Sequence, residues 1–449
     1  MPPSNPRRRL FGFLSFLLLS VSLMGCSKVE TVMDAWRPET PYDQYAAALE
    51  AAGLAHTALG RTWVEAGRMA LEADALITLP FREVGYLDPV GAEAVGYRID
   101  LIRGQRLVAE VHLDGPGSVR VFLDLFEMPD ETGRADPRRV ASADSTGLLT
   151  YRIRRSRTYL LRLQSELLRG GRYALTLRTT ASVIFPVTGR NSRAIRSFFG
   201  ASRDGGRRAH HGVDIFAPRG TPVVSATEGY VTRVRNGGLG GKVVWVRGQT
   251  DGAHFYYAHL DSQLVRANTR VHAGDTLGLV GNTGNARTTP PHLHLGIYSN
   301  GPLDPFPFVH EPEETPPRLR ADTTLLGRWT RIAARQASLL RAPSNDASVQ
   351  ATLPQHTALR ILAGSNRWYR ARLPDGMLGF IDARFVESLQ APLRLAAVAS
   401  GRVLQAAPNV AAPSIDSLAR GVSVPVLARF ESYAQVIAPS GRTGWVILD

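Results

Sequence analysis

The chain has 449 residues, 53 basic and 39 acidic, for a formal charge of +14. At roughly 150 residues per domain that length suggests about three domains with ample core. The charge favours anionic polymers or membrane faces, yet no compact arginine run with interleaved aromatics is present, so nucleic acid is excluded as a partner. The single cysteine, Cys26, excludes a disulfide framework.

Residues 1–26 read as an export signal: Arg7, Arg8 and Arg9, then the apolar run Leu10 to Leu23, then Met24-Gly25-Cys26. The run is short for a spanning helix. The segment resembles a bacterial lipobox, which implies cleavage before Cys26, acylation of its thiol and a mature charge of 50 − 39 = +11. An acylated Cys26 leaves no thiol for a papain-like nucleophile. Ser27 in place of Asp resembles an outer-membrane address, so the expected location is membrane-anchored and periplasm-facing, in the outer membrane of a Gram-negative bacterium.

Residues 40–75 turn to Ala, Leu and Glu, with Tyr45, Leu49, His56, Leu59, Trp63, Ala66 and Ala70 at helical spacing, so a short helical segment is expected. Gly53, Gly60 and Gly67 recur at seven-residue intervals and cost helix stability unless a neighbour packs closely there. Alternation then takes over across 76–182, in Tyr97, Ile99, Leu101; Leu107, Ala109, Val111; Val119, Val121, Leu123, Leu125; Tyr159, Leu161, Leu163; and Tyr173, Leu175, Leu177. This predicts a β-sandwich that resembles a jelly roll, with the charged loop Asp130 to Arg139 on its surface.

The segment 185–310 carries the chemistry. Seven of the eleven histidines fall between Ala209 and Tyr298: His210, His211, His254, His259, His272, His292 and His294. HHGVD places His210 and Asp214 at i, i+4, and PPHLHLGIY places His292 and His294 at i, i+2, which are metal-ligand types at metal-ligand spacings. Leu293, Leu295 and Ile297 alternate with His292, His294 and Gly296, the period of a strand with one buried face, so both imidazoles point the same way. Side by side in a dry site they are costly unless a cation accepts their nitrogens.

If HHGVD is extended, His210 and Asp214 share a face too. Two nitrogens and one carboxylate are one ligand short of a closed tetrahedral zinc site, leaving a position for water. Same-face neighbours along a strand lie ~7 Å apart, so His292 and His294 do not serve one metal alike. Histidines outside the ligand set, with His259 in FYYAHL and His292 as candidates, suit the transfer of a water's proton and the steadying of an oxyanion. NGGLGG, Asn236 to Gly241, reads as a hairpin loop. It is not a phosphate loop, since Asn236 and Val243 stand where that motif needs Gly and Ser or Thr.

HHGVDIFAPRGTPV, YYAHL and GLVGNTGNARTTPPHLHLGIY together resemble the lysostaphin-type (LytM) zinc metallopeptidases of peptidoglycan. The resemblance implies an antiparallel-sheet peptidase domain with one zinc ion per chain on His210, Asp214 and His294. It implies that His259 and His292 serve the water and the transition state, and that peptidoglycan is the substrate. Members that act as non-catalytic regulators of other wall amidases are the alternative, but those are degenerate at the metal motifs. Arg203, Arg207 and Arg208, just before the first ligand, suit substrate carboxylates.

The proline-rich stretch 311–335 reads as a linker. Beyond it a repeat of period 65 pairs Pro343 with Pro408, Leu353 with Leu418, Leu359 with Val424, Trp368 with Tyr433, Gly376 with Gly441 and Gly379 with Gly444. The two copies, 336–388 and 400–449, resemble bacterial SH3-like barrels, which often hold a wall hydrolase on its substrate. The expected fold is mainly β and multidomain, with the peptidoglycan wall and a lipid membrane as partners.

Overall fold

The computed structural model describes residues 40–114, 119–129, 136–249, 252–312 and 315–448. The signal segment, Cys26 and the tip of the charged loop at 130–135 lie outside the described residues. The chain is mainly β, built from antiparallel sheets with a few short helices.

Thr40 opens helix α1 (Pro41–Ala51) with a capping box: its hydroxyl accepts from the Asp43 amide and the Asp43 carboxylate accepts from the Thr40 amide. Thr57 caps helix α2 (Ala58–Met69) in the same region. Trp63, 1% exposed, anchors α2 by donating its indole N–H to the Ser165 carbonyl at 2.8 Å and by stacking on Tyr42. The inward stripe is therefore Gly60, Trp63 and Gly67, and Leu59, expected to face inward, is 41% exposed. Close approach explains the glycines: a Cβ on Gly67 would lie 2.6 Å from both the Gln164 Oε1 and the Tyr42 hydroxyl.

These helices cover one sheet of a β-sandwich, whose strands run in the order Leu76–Ile77, Ala94–Leu101, Arg157–Ser165, Val121–Glu127 and Arg138–Ser142. Val121–Glu127 and Arg157–Ser165 are consequently buried on both faces. The polar residues on the helix side are paired there: Arg162 donates to Asp124 at 2.7 Å and lies 3.6 Å over the Tyr42 ring. The second sheet contains Phe81–Leu87, Gly171–Ala181, Gln105–Asp114 and Leu148–Arg152.

That second sheet does not end at the sandwich. Ala358–Ser365, from the first of the two C-terminal repeats, pairs with Phe81–Leu87 through Val84–Gly364 and Gly85–Ala363. Beneath this junction the wholly buried Glu83 accepts from the hydroxyls of Tyr97 (2.5 Å) and Tyr173, while Arg370 donates to Tyr173 at 2.9 Å and stands 3.6 Å from the other Glu83 oxygen. The first repeat also starts earlier than its spacing suggested. Trp329–Ile332, inside the stretch expected to be linker, pairs with both Ala358–Arg360 and Val386–Ser388. Four residues are too few for alternation to register.

The repeat register holds in three dimensions: Trp368–Arg372 and Leu378–Asp382 correspond to Tyr433–Ile437 and Thr443–Ile447. Trp368 and Tyr433, at 7% and 8% exposed, are core rather than ligand faces. The second repeat packs on the first through Trp329, Ala358, Tyr433 and Trp445.

The segment between the sandwich and the repeats folds around one antiparallel sheet. Its main strands are β1 (Val213–Phe216), β2 (Gly229–Asn236), β3 (Lys242–Gly248), β4 (His254–Gln263) and β5 (Thr276–Val280), then β6 (His292–Tyr298). Their central order is β1-β6-β4-β3-β2. Val213, Ile215, Val244, Val246, Phe255, Tyr257, Leu293, Leu295 and Ile297 fill the core on one face, which leaves the other face of β6 to His292, His294, Gly296 and Tyr298.

Removing Glu83 would strand the buried Arg370 charge, so Glu83→Ala should cost about 3–5 kcal/mol in urea unfolding. Breaking the exposed Arg68–Glu72 pair should leave the midpoint unchanged. Equal midpoints for all three proteins would show that the junction contributes nothing to stability.

Candidate active site

Strand pairing assembles the site. Asp214 on β1 is the Cα partner of His294 on β6, and His294 is in turn the partner of Ala258 on β4. His210 enters from the irregular segment just before β1, held by its amide to the Ala201 carbonyl at 2.9 Å and by its carbonyl to the Gly200 amide at 2.8 Å. Gly212 permits the approach: a Cβ there would lie 2.4 Å from the Leu295 carbonyl oxygen and 2.7 Å from the His294 ring. This is the physical requirement behind the central glycine of H-x-G-x-D.

Three ligand atoms then converge. His210 Nε2, Asp214 Oδ1 and His294 Nδ1 stand 3.0 Å from one another, pair by pair. The Phe198 carbonyl lies 2.9 Å from His210 Nδ1. A carbonyl only accepts, so the neutral ring keeps its proton on Nδ1 and turns the Nε2 lone pair inward, against the carboxylate. Lone pairs at that spacing repel unless a proton or a cation lies among them. Bonds of ~2.0–2.1 Å in tetrahedral geometry would set such atoms roughly 3.3 Å apart, so these residues fit a zinc-sized ion.

Charges around the group agree with this. Burial alone would raise the Asp214 carboxyl, but a positive charge shared with His210 and His294, the place a cation would take, outweighs it and holds the group well below the usual carboxylate range. Burial also lowers His294, which favours the neutral form of its ring. Arg203 donates to the second Asp214 oxygen at 2.7 Å and to the Ser197 hydroxyl. The sequence suggested that Arg203 would meet substrate carboxylates. It instead neutralises the carboxylate of its own chain and fixes which oxygen faces the histidines.

His259 and His292 flank the triangle. His292 stacks on Phe216 with ring centres 5.1 Å apart, and gives Nδ1 to the Pro290 carbonyl at 2.9 Å. His259 follows a register shift in β4, has φ +61°, and gives Nδ1 to the Thr283 carbonyl at 2.9 Å. A bulge with a left-handed non-glycine residue is a strained arrangement that re-aims a side chain. The ring centre of His259 reaches within 5.0 Å of His292 and 5.9 Å of His294. Both flanking rings therefore carry Nδ1–H and leave Nε2 as a lone pair.

The four histidines and Asp214 open on one groove of about 420 Å3, with Tyr256 and Tyr298 in its floor and Leu239, Gly240, Asn285 and Thr289 in its wall. The hairpin loop 237–241 and the turn 283–289 pack on each other, with the Asn285 amide donating to the Leu239 carbonyl at 3.0 Å, and together form one continuous wall. Of the remaining histidines, His211 lies exposed at the groove's edge, His254 stands at the start of β4, and His272 faces solvent beside Asp275 at 3.5 Å. Tyr256, Tyr298 and Ser197 were not singled out from the sequence. The period-2 spacing of Tyr298 from His294 was the signal for one of them.

Residues 208–305 match peptidase family M23. An L-Ala--D-Glu endopeptidase of Bacillus subtilis is 37% identical over 138 residues, 28% of this chain and 42% of that protein. The peptidoglycan DD-endopeptidase ShyC of Vibrio cholerae is 38% identical over 94 residues, 21% of each. Among solved structures, the catalytic domain of lysostaphin from Staphylococcus simulans is 32% identical, covering 26% of this chain and 90% of that one with a TM-score of 0.23. The chain thus spans less than half the length of these curated relatives.

Burial first, then the neighbouring His292 and His294, lower His259 to about 4 from an ordinary 6.5. Between those values the folded ring binds fewer protons than the unfolded one. The contribution is thus complete above pH ~6.5 and lost as pH falls towards ~4, about 3 kcal/mol for a shift of this size. With chelator present, urea unfolding at pH 7 and pH 4.5 should show a smaller loss of stability for His259→Gln than for wild type. Identical losses would mean that His259 does not carry this pH dependence.

Proposed function

From the premise that residues 208–305 form a peptidase family M23 domain, we propose that the chain is a zinc-dependent endopeptidase that hydrolyses amide bonds in the stem or cross-link peptides of peptidoglycan. The observation that carries this reading is the 3.0 Å triangle of His210, Asp214 and His294 beside two histidines with identical tautomers. His210, Asp214 and His294 would hold the zinc ion. When bound, that ion supplies Lewis acidity to the scissile carbonyl and to the attacking water.

The protein's own groups do the rest. With Nδ1–H given to a carbonyl, a neutral His259 or His292 can only accept at Nε2, so it begins as a base and takes the water's proton. Its Nε2–H then becomes a donor, directed at the oxyanion or at the departing amine. The Thr283 and Pro290 carbonyls favour the charged ring while it lasts. Arg203 holds Asp214 in the orientation that faces the two ligand histidines, and the joined wall of Leu239–Gly240 and Asn285–Thr289 borders the path of an extended peptide above the β6 floor.

The roles separate by experiment. His210→Ala and His294→Ala should each lose both zinc and activity. His259→Ala and His292→Ala should keep near-stoichiometric zinc and lose ~10²-fold or more in turnover on purified sacculi. Loss of zinc from the His292 variant would exchange its role with that of His294.

For the remainder of the chain we propose acylation at Cys26, anchoring to a periplasm-facing membrane, and wall contact through the two repeats that resemble SH3-like barrels. Cys26→Ser should move the protein from the membrane to the soluble fraction. Its retention in the membrane would assign anchoring to the apolar run alone.

A further inference from the structure

The groove floor continues beyond the metal-ligand triangle as an aromatic strip. Trp245 on β3 is the Cα partner of Tyr256 on β4, and their ring centres lie 4.5 Å apart. Trp245 also approaches Tyr298 on β6 at 5.4 Å, and Tyr256 lies 5.8 Å from His294. All three aromatic residues are half-buried, so part of their surface remains open to solvent on the face opposite the core. Gly296, the partner of Tyr256, makes room for this layer, since a Cβ there would lie 2.9 Å from the Tyr298 ring.

Two exposed arginines share the face with Trp245. Arg233 is its Cα partner on β2, and Arg247 lies two residues further along β3. On the rest of the sheet's open side polar residues would suffice, and single exposed aromatics need no account. Three in contact, continuous with the groove and flanked by positive charge, form a surface with a defined chemistry.

Resting on the peptidoglycan reading above, we propose that this strip is a subsite for the sugar part of the substrate. One face of a pyranose ring presents a layer of C–H groups, which stacks on the negative face of an aromatic ring. Arg233 and Arg247 meet the carboxylates that such a wall polymer carries. From His294 to Tyr298 is four residues, about 13 Å of strand. A sugar on the strip would therefore sit about one short stem peptide away from the bond held at the triangle. The chain is then a peptidase that reads the glycan to which its peptide is attached, rather than the peptide alone.

The test compares two substrates, a stem peptide released from purified wall and the same peptide still joined to its disaccharide. Wild type should hydrolyse both, with a lower KM for the sugar-bearing form. Trp245→Leu should raise the KM for that form about five- to tenfold, with kcat and hydrolysis of the bare peptide unchanged. Trp245→Phe, which keeps a ring, should restore most of the difference. A loss shared equally by both substrates would reduce Trp245 to a structural role, and equal KM values for the two substrates in wild type would overturn the subsite. Failure of wild type to cut either substrate would instead count against the endopeptidase reading itself.

Discussion

The site depends on keeping unshared electron pairs pointed at one another in a buried place. Four imidazoles and a carboxylate would relax apart in water. Here backbone carbonyls of Phe198, Thr283 and Pro290 each hold one ring by Nδ1–H, and β-pairing of Asp214, His294 and Ala258 sets the spacing. The cost of convergence is met by the sheet's core of Val, Leu, Ile and Phe, and is relieved by any cation that enters the triangle.

The same carbonyls decide which nitrogen His210, His259 and His292 each turn inward. His210 presents Nε2 and His294 presents Nδ1 to the triangle. His259 and His292 present Nε2 from outside it, one from a left-handed bulge residue and one from a regular strand position. Asp214 and His294 face the triangle from regular strand positions and His210 from the irregular segment before β1, whereas His259 is aimed by a strained bulge position.

The parts of the chain outside the peptidase segment are less independent than beads on a string. The first repeat shares a sheet with the sandwich and buries an Arg370–Glu83–Tyr173 network against it, while the second repeat packs on the first through aromatic contacts. A repeat joined in this way has little freedom relative to the sandwich.

The amino-acid order by itself determined what depends on local period and spacing. Alternation placed His292 and His294 on one strand face, NGGLGG closed the hairpin between β2 and β3, and the 65-residue register paired Trp368–Arg372 with Tyr433–Ile437. Only the tertiary structure decided what depends on which distant segments become neighbours. Arg203 meets Asp214 because its loop folds back over β1. His259 turns inward because the β4 ladder slips by one residue there. Gly60 and Gly67 face inward because Trp63 must reach Ser165, a partner 102 residues away. Trp329–Ile332 became a strand because Ala358–Arg360 and Val386–Ser388 both lie beside it. Periodicity reports which face of an element is apolar, whereas partners are fixed by long-range pairing, and no local pattern encodes those.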